Sequence, residues 1–175
     1  MPTDTAWLDQ HIRVIEDYPQ AGVTFRDITP LLGDAKGFRV TIDAISDHYA
    51  GTPIDTVIGI EARGFIVAAP VAYRLGAGFV PVRKAGKLPW AVAREEYSLE
   101  YGSDKLEIHR DAIKPGERVV IVDDVLATGG TASATLRLVE ALGAHVVGLG
   151  FIIELPALGG RDRVASHDVM SLLRY

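Results

Sequence analysis

The sequence predicts an α/β domain with a central parallel sheet flanked by helices. Three observations point there. Short β-branched runs alternate with helix-type runs, the clearest strand leads into paired acids and a Gly-rich turn that opens a helix, and 175 residues suffice for one domain with a proper core. Strand–helix–strand alternation needs crossover connections, which set parallel strands side by side and lay helices over the faces of the sheet. With no internal repeat and no linker-like tract, residues 1–175 are expected to form one unit.

In chain order, Thr56–Ile60 (TVIGI) is a short buried-strand candidate that runs directly into Glu61-Ala62-Arg63-Gly64. Apolar spacing and small residues from Phe65 to Leu75 predict a helix, kinked at Pro70 because proline lacks the N–H a helix needs. Gly78–Val82 is the next strand. Arg118–Val122 is a second buried strand, expected to stop at Asp123-Asp124. Thr131–Leu142 predicts a helix with Leu136, Val139 and Leu142 on one stripe, stopped by Gly143, and His145–Ile153 is a further strand. Two stretches break the alternation. Tyr97–Tyr101 and Lys105–His109 flank the turn signal Gly102-Ser103-Asp104, which predicts a hairpin. Ahead of it, Arg83–Pro89 is basic, interrupted by Gly86 and Pro89, and without period; an excursion of this kind inside a compact domain is a candidate functional loop.

Composition narrows the chemistry. Eighteen Lys and Arg against 23 Asp and Glu leave a net charge of −5, which disfavours long nucleic acid as a partner but not a local basic site. The absence of cysteine excludes disulfide scaffolds, thiolate metal sites and cysteine nucleophiles. The five histidines are scattered without ligand spacing and read as structural or surface residues. The N-terminal residues show no secretion pattern, and the longest apolar stretches fall well short of the ~20 residues that span a bilayer, so a soluble cytoplasmic protein is expected.

The strongest chemical signal is Val119–Val122, then Asp123-Asp124, then Ala127-Thr128-Gly129-Gly130-Thr131 opening a helix. Open α/β sheets bind ligands at the carboxyl ends of their strands. Backbone N–H groups of a Gly-rich turn at a helix N-terminus cradle an anion, and threonine hydroxyls add donors. A phosphate fits there, while the two carboxylates can accept sugar hydroxyls or hold a hydrated Mg²⁺. The bland alternative is a strand–turn–helix joint with solvent-facing acids. No lysine follows the glycines as in a Walker loop, there is no dinucleotide Gly-x-Gly-x-x-Gly pattern, and no Gly-x-Ser-x-Gly elbow occurs. Phe25 could stack on a flat base while neighbouring backbone groups and Arg26 address its edge; core packing is the alternative for a single Phe. Arg63 beside Gly64 can reach an anion where the backbone also comes close, and Lys84 and Lys87 can neutralise a polyphosphate when their loop closes. Glu100, between Leu99 and Tyr101 in the hairpin, is a carboxylate that partial burial would raise in pKa; as a structural residue it would pair across the hairpin with Lys105.

The Ala127–Thr131 turn resembles the phosphoribosyl-pyrophosphate loop of the type I phosphoribosyltransferases, in the version of their adenine-using branch. Tyr18–Leu32 resembles that branch's N-terminal purine-binding segment, and Glu61–Phe65 its pyrophosphate turn. Arg83–Pro89 resembles its lid and Tyr97–Gly102 its catalytic hairpin. Ile153–Leu158 with Gly160-Arg161 resembles the segment that closes over the base. The likeness runs in order from about residue 11 to the end. It departs at Ala21, where proline is usual, at Ala85, and over Trp90–Glu96.

What the resemblance implies is a parallel-sheet phosphoribosyltransferase fold with a small hood (about residues 1–35) and a flexible hairpin lid (about 84–110). It further implies transfer of phosphoribose from phosphoribosyl pyrophosphate to N9 of adenine, giving AMP and pyrophosphate, with Mg²⁺ carried mainly by substrate and water. Asp123 and Asp124 would then grip the ribose or contact the metal's waters. Phe25 and Leu158 would sandwich the base, Glu100 and Tyr101 would handle protons at the ring, and Arg63 with the lid lysines would hold pyrophosphate. A homodimer is part of the same expectation. A 6-oxopurine enzyme of the same fold is disfavoured by the Phe25-Arg26 segment and by Ala127, where such enzymes commonly carry an acid. A non-catalytic nucleotide sensor would need a basic face or a DNA-binding appendage, and neither is visible.

Overall fold

The structure is a computed structural model that describes residues 5–98 and 103–175. After an N-terminal 3₁₀ turn, β1 (Arg13–Ile15) and β2 (Phe25–Asp27) form a small antiparallel sheet, with Ile15 opposite Phe25. The short α1 (Thr29–Gly33) leads into α2 (Ala35–Tyr49), whose N-terminus is capped by Asp34 accepting the Gly37 N–H at 2.6 Å. Then come β3 (Thr56–Ile60), α3 (Arg63–Leu75), β4 (Gly78–Lys84), β5 (Val92–Ser98), β6 (Ser103–His109), β7 (Arg118–Leu126), α4 (Gly130–Ala141), β8 (His145–Glu154) and β9 (Asp168–Arg174). Among the described residues the main sheet has seven strands in the order β5-β6-β4-β3-β7-β8-β9. The β4-β3-β7-β8-β9 pairs are parallel, and β5 and β6 add antiparallel at one edge.

Both faces of the sheet are buried at β3, β7 and β8, which explains why these strands read as apolar runs. Val57, Val120, Val122 and Ile152 pack with Ile42 and Ile45 of α2 and Val67 and Val71 of α3. Ile58, Ile60, Ile121 and Leu149 pack on the other side with Ala134, Leu138 and Val139 of α4. β3 has the predicted bounds, and α3 starts two residues before the predicted helix and continues through Pro70. The residue whose carbonyl loses its helical donor to that proline is Ile66, 46% exposed on the outer side, where water can replace the donor.

β7 corrects the sequence reading. It does not stop at the acids but runs to Leu126, because β8 keeps pairing alongside it: Asp123 lies opposite Phe151, Val125 opposite Ile153 and Leu126 opposite Glu154. The acids therefore sit inside a strand rather than in a loop after it. The hairpin differs as well. Its first strand begins at Val92, Ser103 and Asp104 belong to its second strand, and its root is part of the sheet, with Tyr97, Leu106 and Ile108 in the core. The cross-strand partner of Lys105 is Glu96.

A buried charge holds that root. Glu107 is 1% exposed and faces Arg94, with which it forms a close ion pair, while its other oxygen accepts the Gly86 N–H at 2.9 Å. Burial alone would raise its pKa, but the Gly86 N–H and the Arg94 guanidinium outweigh that and hold it below the ordinary value. A carboxylate with a lowered folded-state pKa contributes stability above its unfolded value and loses it as pH falls. Glu107→Gln is therefore expected to lower the urea midpoint at neutral pH, and the gap to wild type should narrow through the acid carboxyl range. A gap that stays constant with pH would show that the charge of Glu107 is not what matters.

Candidate active site

The chain passes from β3 to β4 on one side of the sheet, then crosses to β7 on the other side of β3. At such a reversal the connections leaving neighbouring carboxyl ends diverge and open a crevice. It is flanked by the Glu61–Gly64 turn after β3 and by the acidic end of strand β7, and a cavity of about 510 Å³ lies there.

The turn after β3 approaches β7 closely. A Cβ on Gly64 would lie 2.7 Å from Asp123 Oδ1 and 3.1 Å from the Val122 carbonyl oxygen, so only glycine fits. Beside it, Arg63 Nε stands 2.6 Å from Asp124 Oδ2. The Arg63 guanidinium also lies 5.3 Å from the centroid of the Phe25 ring, and the Tyr18 ring meets the Phe25 ring edge-on at 5.3 Å. Desolvation and the neighbouring Asp124 charge raise the Asp123 carboxyl well above its ordinary value, although Asp123 Oδ1 accepts the Asp124 N–H at 2.9 Å.

Across the cavity, the end of β4 is organised by Glu61. Its carboxylate accepts the Lys84 N–H at 2.9 Å and faces Arg83 Nε at 3.3 Å. Burial pushes Glu61 up, yet these donors leave it below the ordinary value. Lys84 Nζ reaches Asp104 Oδ2 at 3.2 Å, a hydrogen bond that raises the lysine pKa. The Tyr97 hydroxyl donates to the same Asp104 oxygen at 3.4 Å, and its pKa is raised chiefly by burial.

Gly129, at φ +76°, is the left-handed residue just before α4, and a Cβ there would strike the Gly160 carbonyl oxygen at 2.5 Å. Thr128, Gly129 and Gly130 line a smaller cavity of about 80 Å³ that shares Asp123, Val125, Ala127 and Thr131 with the larger one.

Most of the residues singled out by sequence come together. Phe25, Arg26, Arg63, Lys84, Asp123, Asp124, Ala127, Thr131 and Leu158 line the large cavity. Arg26 does so with its guanidinium stacked over the Tyr175 ring, 4.2 Å from the centroid. Lys87 is not among the lining residues; its backbone carbonyl oxygen accepts from Arg83 Nη1 at 3.4 Å. Glu100 and Tyr101 lie outside the described residues. Glu61, Tyr97 and Leu155 also line the cavity. In the sequence these three stand only within motifs: Tyr97 is an inward position of the hairpin alternation, and Glu61 directly follows a strand. Among the described residues no cluster of three or more metal-ligating side chains forms, and His48 and His167 face the carboxylates of Asp168 and Glu140.

A parallel sheet whose reversal joins an acid pair, a Gly-rich phosphate-type turn and an Arg-Gly turn defines the phosphoribosyltransferase class. A profile of the phosphoribosyl transferase domain matches residues 34–170. The adenine phosphoribosyltransferase of Solibacter usitatus is 60% identical over 164 residues, covering 94% of this chain and 95% of that protein. The crystal structure of adenine phosphoribosyltransferase from Thermoanaerobacter pseudethanolicus matches with a TM-score of 0.94 at 50% identity, over 98% of this chain and 99% of that one. The Saccharomyces cerevisiae adenine phosphoribosyltransferase, complexed with an imino-altritol bisphosphate and adenine, matches with a TM-score of 0.93 at 40% identity, over 96% of this chain and 97% of that one. The chain belongs to the adenine phosphoribosyltransferase family.

The close approach at Gly64 yields a stability test. Gly64→Ala gains at most about 1 kcal/mol of helix propensity. Overpacking against Asp123 and the β7 backbone costs roughly 1–3 kcal/mol. A net loss in urea denaturation is expected; a gain would mean that the start of α3 and β7 separate more easily than their contact implies.

Proposed function

We propose that the chain transfers the 5-phosphoribosyl group from phosphoribosyl pyrophosphate to N9 of adenine, releasing pyrophosphate and forming AMP, a purine-salvage reaction. The observation that carries this is the meeting of an aromatic face and an acid pair in one cavity with the ends of a phosphate-type turn, whose middle lines an adjoining smaller cavity. Family membership adds its weight, as does the yeast relative's complex with adenine.

In this reading the purine lies between Phe25 and Leu158. With the Arg26 side chain stacked on Tyr175, the backbone of β2 is left to address the base edge. A 6-amino group donates to a carbonyl there. A 6-oxo base would leave that acceptor unpaired, at a cost of about 1–3 kcal/mol. The Ala127–Thr131 turn takes the 5′-phosphate, with backbone N–H groups at the start of α4 and the Thr128 and Thr131 hydroxyls as donors. Asp124 accepts a ribose hydroxyl, and Asp123 stands behind it.

The bond from the anomeric carbon to pyrophosphate breaks as the N9 bond forms, and the N9 proton leaves. The sugar passes through an oxocarbenium-like state, so positioning and shielding from water do most of the work. Arg63 and Lys84 exchange their resting partners, Asp124 and Asp104, for the negative leaving group, with Lys87 joining when the lid closes. Glu100, with Tyr101 beside it, handles the proton at the ring. The donor set at the acid pair, two carboxylates and no third ligand among the described residues, suits a hydrated cation that arrives on the substrate. When bound, Mg²⁺ would neutralise pyrophosphate charge, its waters contacted by Asp123 and Asp124. A homodimer, a cytoplasmic location, and the division into hood and lid within one domain belong to the same proposal and rest on the family likeness.

A base panel with phosphoribosyl pyrophosphate and Mg²⁺ tests the reading: adenine should give AMP rapidly and hypoxanthine should not. Turnover of hypoxanthine but not adenine would overturn the substrate, and binding without turnover of any base would favour a sensor. In the same assay Asp124→Asn should lower kcat/KM for phosphoribosyl pyrophosphate by a factor worth roughly 1–3 kcal/mol, because it removes a charged ribose acceptor. Unchanged constants would remove Asp124 from the ribose site. Glu100→Gln should lower kcat more than it raises the KM for adenine, and an unaltered kcat would end its catalytic role.

A further inference from the structure

Glu154, the last residue of β8, is 1% exposed yet charged, and it does not line the cavity. Its carboxylate is gripped by the fork of Arg161: Oε1 accepts from Nε at 2.8 Å and Oε2 from Nη2 at 2.5 Å. Ser171 Oγ on β9 donates to Oε2 at 2.6 Å, Arg174 Nη2 to Oε1 at 3.3 Å, and Arg161 Nη1 reaches the Val169 carbonyl oxygen at 2.9 Å. These donors hold Glu154 down at a pKa of about 2, led by the Arg161 hydrogen bond, so the grip keeps its charge across the neutral range.

The grip closes a short loop, and that loop touches both halves of the cavity. Between Glu154 and Arg161 lie Leu155 and Leu158, which line the purine side. The loop turns at Gly159, φ +67°, and then presses Gly160 against the phosphate-type turn. A Cβ on Gly160 would sit 2.2 Å from the Ala127 carbonyl oxygen and 2.8 Å from the Gly129 nitrogen. Backbone meets backbone there, so neither segment can shift alone.

We propose that Glu154 and Arg161 are positioning residues that couple the two subsites: their buried fork fixes the 155–160 loop, which at once holds Leu158 over the base and braces the Ala127–Thr131 turn that takes the 5′-phosphate. This rests on the reading of the reaction given above, and deepens it. Neither side chain touches substrate. Their effect is transmitted through one rigid loop, which predicts that affinity for adenine and for phosphoribosyl pyrophosphate changes together when the fork is loosened.

The test uses the full chain with adenine, phosphoribosyl pyrophosphate and Mg²⁺, and compares wild type with Arg161→Lys and Ser171→Ala. Arg161→Lys keeps the charge but loses the fork. It is expected to raise both KM values together, by about tenfold, with a smaller fall in kcat, as a loosened but still assembled site would give. Ser171→Ala, a mild change on β9 outside the cavity, should move both in the same direction by less, and it decides the matter if Arg161→Lys does not fold. Variants with a lowered melting temperature but both KM values within about twofold of wild type would reduce the network to a stability role and overturn the proposal. A rise confined to one substrate would overturn the coupling. Wild type that forms no AMP would sink the reading of the reaction instead. The coupling would then be judged by calorimetric binding of phosphoribosyl pyrophosphate, expected to weaken in Arg161→Lys and, if unchanged, to refute it.

Discussion

The site depends on one close approach, that of the turn after β3 to the acidic end of β7. Gly64 lies so near Asp123 and the Val122 carbonyl that no side chain fits between them. This brings Arg63 within 2.6 Å of Asp124. Two adjacent carboxylates in a partly closed crevice repel each other and lose solvation; removing water from a carboxylate without a partner costs several kcal/mol. Arg63 offsets the Asp124 charge, and the desolvation and repulsion that remain appear as a raised Asp123 pKa. Because β7 stays paired to β8 through Leu126, the carboxylates cannot relax by swinging out as loop residues would. The strand supplies rigidity and the arginine makes that rigidity tolerable.

Burial on both faces decides which strands are legible in the sequence. β3 and β8 were legible because both their faces are buried, and an unbroken apolar run leaves few alternatives. The last residues of β7 were not, since the apolar run breaks at Asp123 and the strand continues only because Phe151, Ile153 and Glu154 lie beside it. The hairpin root was obscured for a related reason. Its buried positions include Glu107, a charge that local pattern assigns to solvent and that only Gly86 and Arg94, both distant in sequence, make tolerable.

The site divides along the same line. The stretch from Asp123 to Thr131 was legible because its acids, glycines and threonines are contiguous, so the chemistry is written in one turn. The contributions of Glu61, Tyr97 and Glu154 were not. Glu61 matters through residues 22 and 23 positions away, and Tyr97 through Asp104 and Thr131. Glu154 acts through a fork seven residues on, and through a strand beyond it. Lys87 marks the limit in the other direction: a basic residue in a suggestive loop, it contributes its carbonyl to Arg83 and does not line the cavity.

Charge pairing explains how a chain of net charge −5 can accommodate a polyanion. Three cations around the crevice already have carboxylate partners: Arg63 has Asp124, Lys84 has Asp104, and Arg83 has Glu61. Without those partners, the crevice would hold a cluster of like charges whose repulsion works against the fold. With them, substrate binding in the proposed reaction is an exchange, in which phosphate oxygens replace carboxylate oxygens on the same guanidinium and ammonium groups. Each exchange trades one charge-assisted bond for another of similar strength, so the gain is smaller than a naked basic pocket would give. The carboxylates set free stay at the crevice, with Asp124 lining the cavity and Asp104 beside Tyr97. A released Asp124 can therefore turn to a sugar hydroxyl without moving its strand. Selectivity then favours a ligand that carries phosphate and hydroxyl groups at the right separation over one that is merely negative.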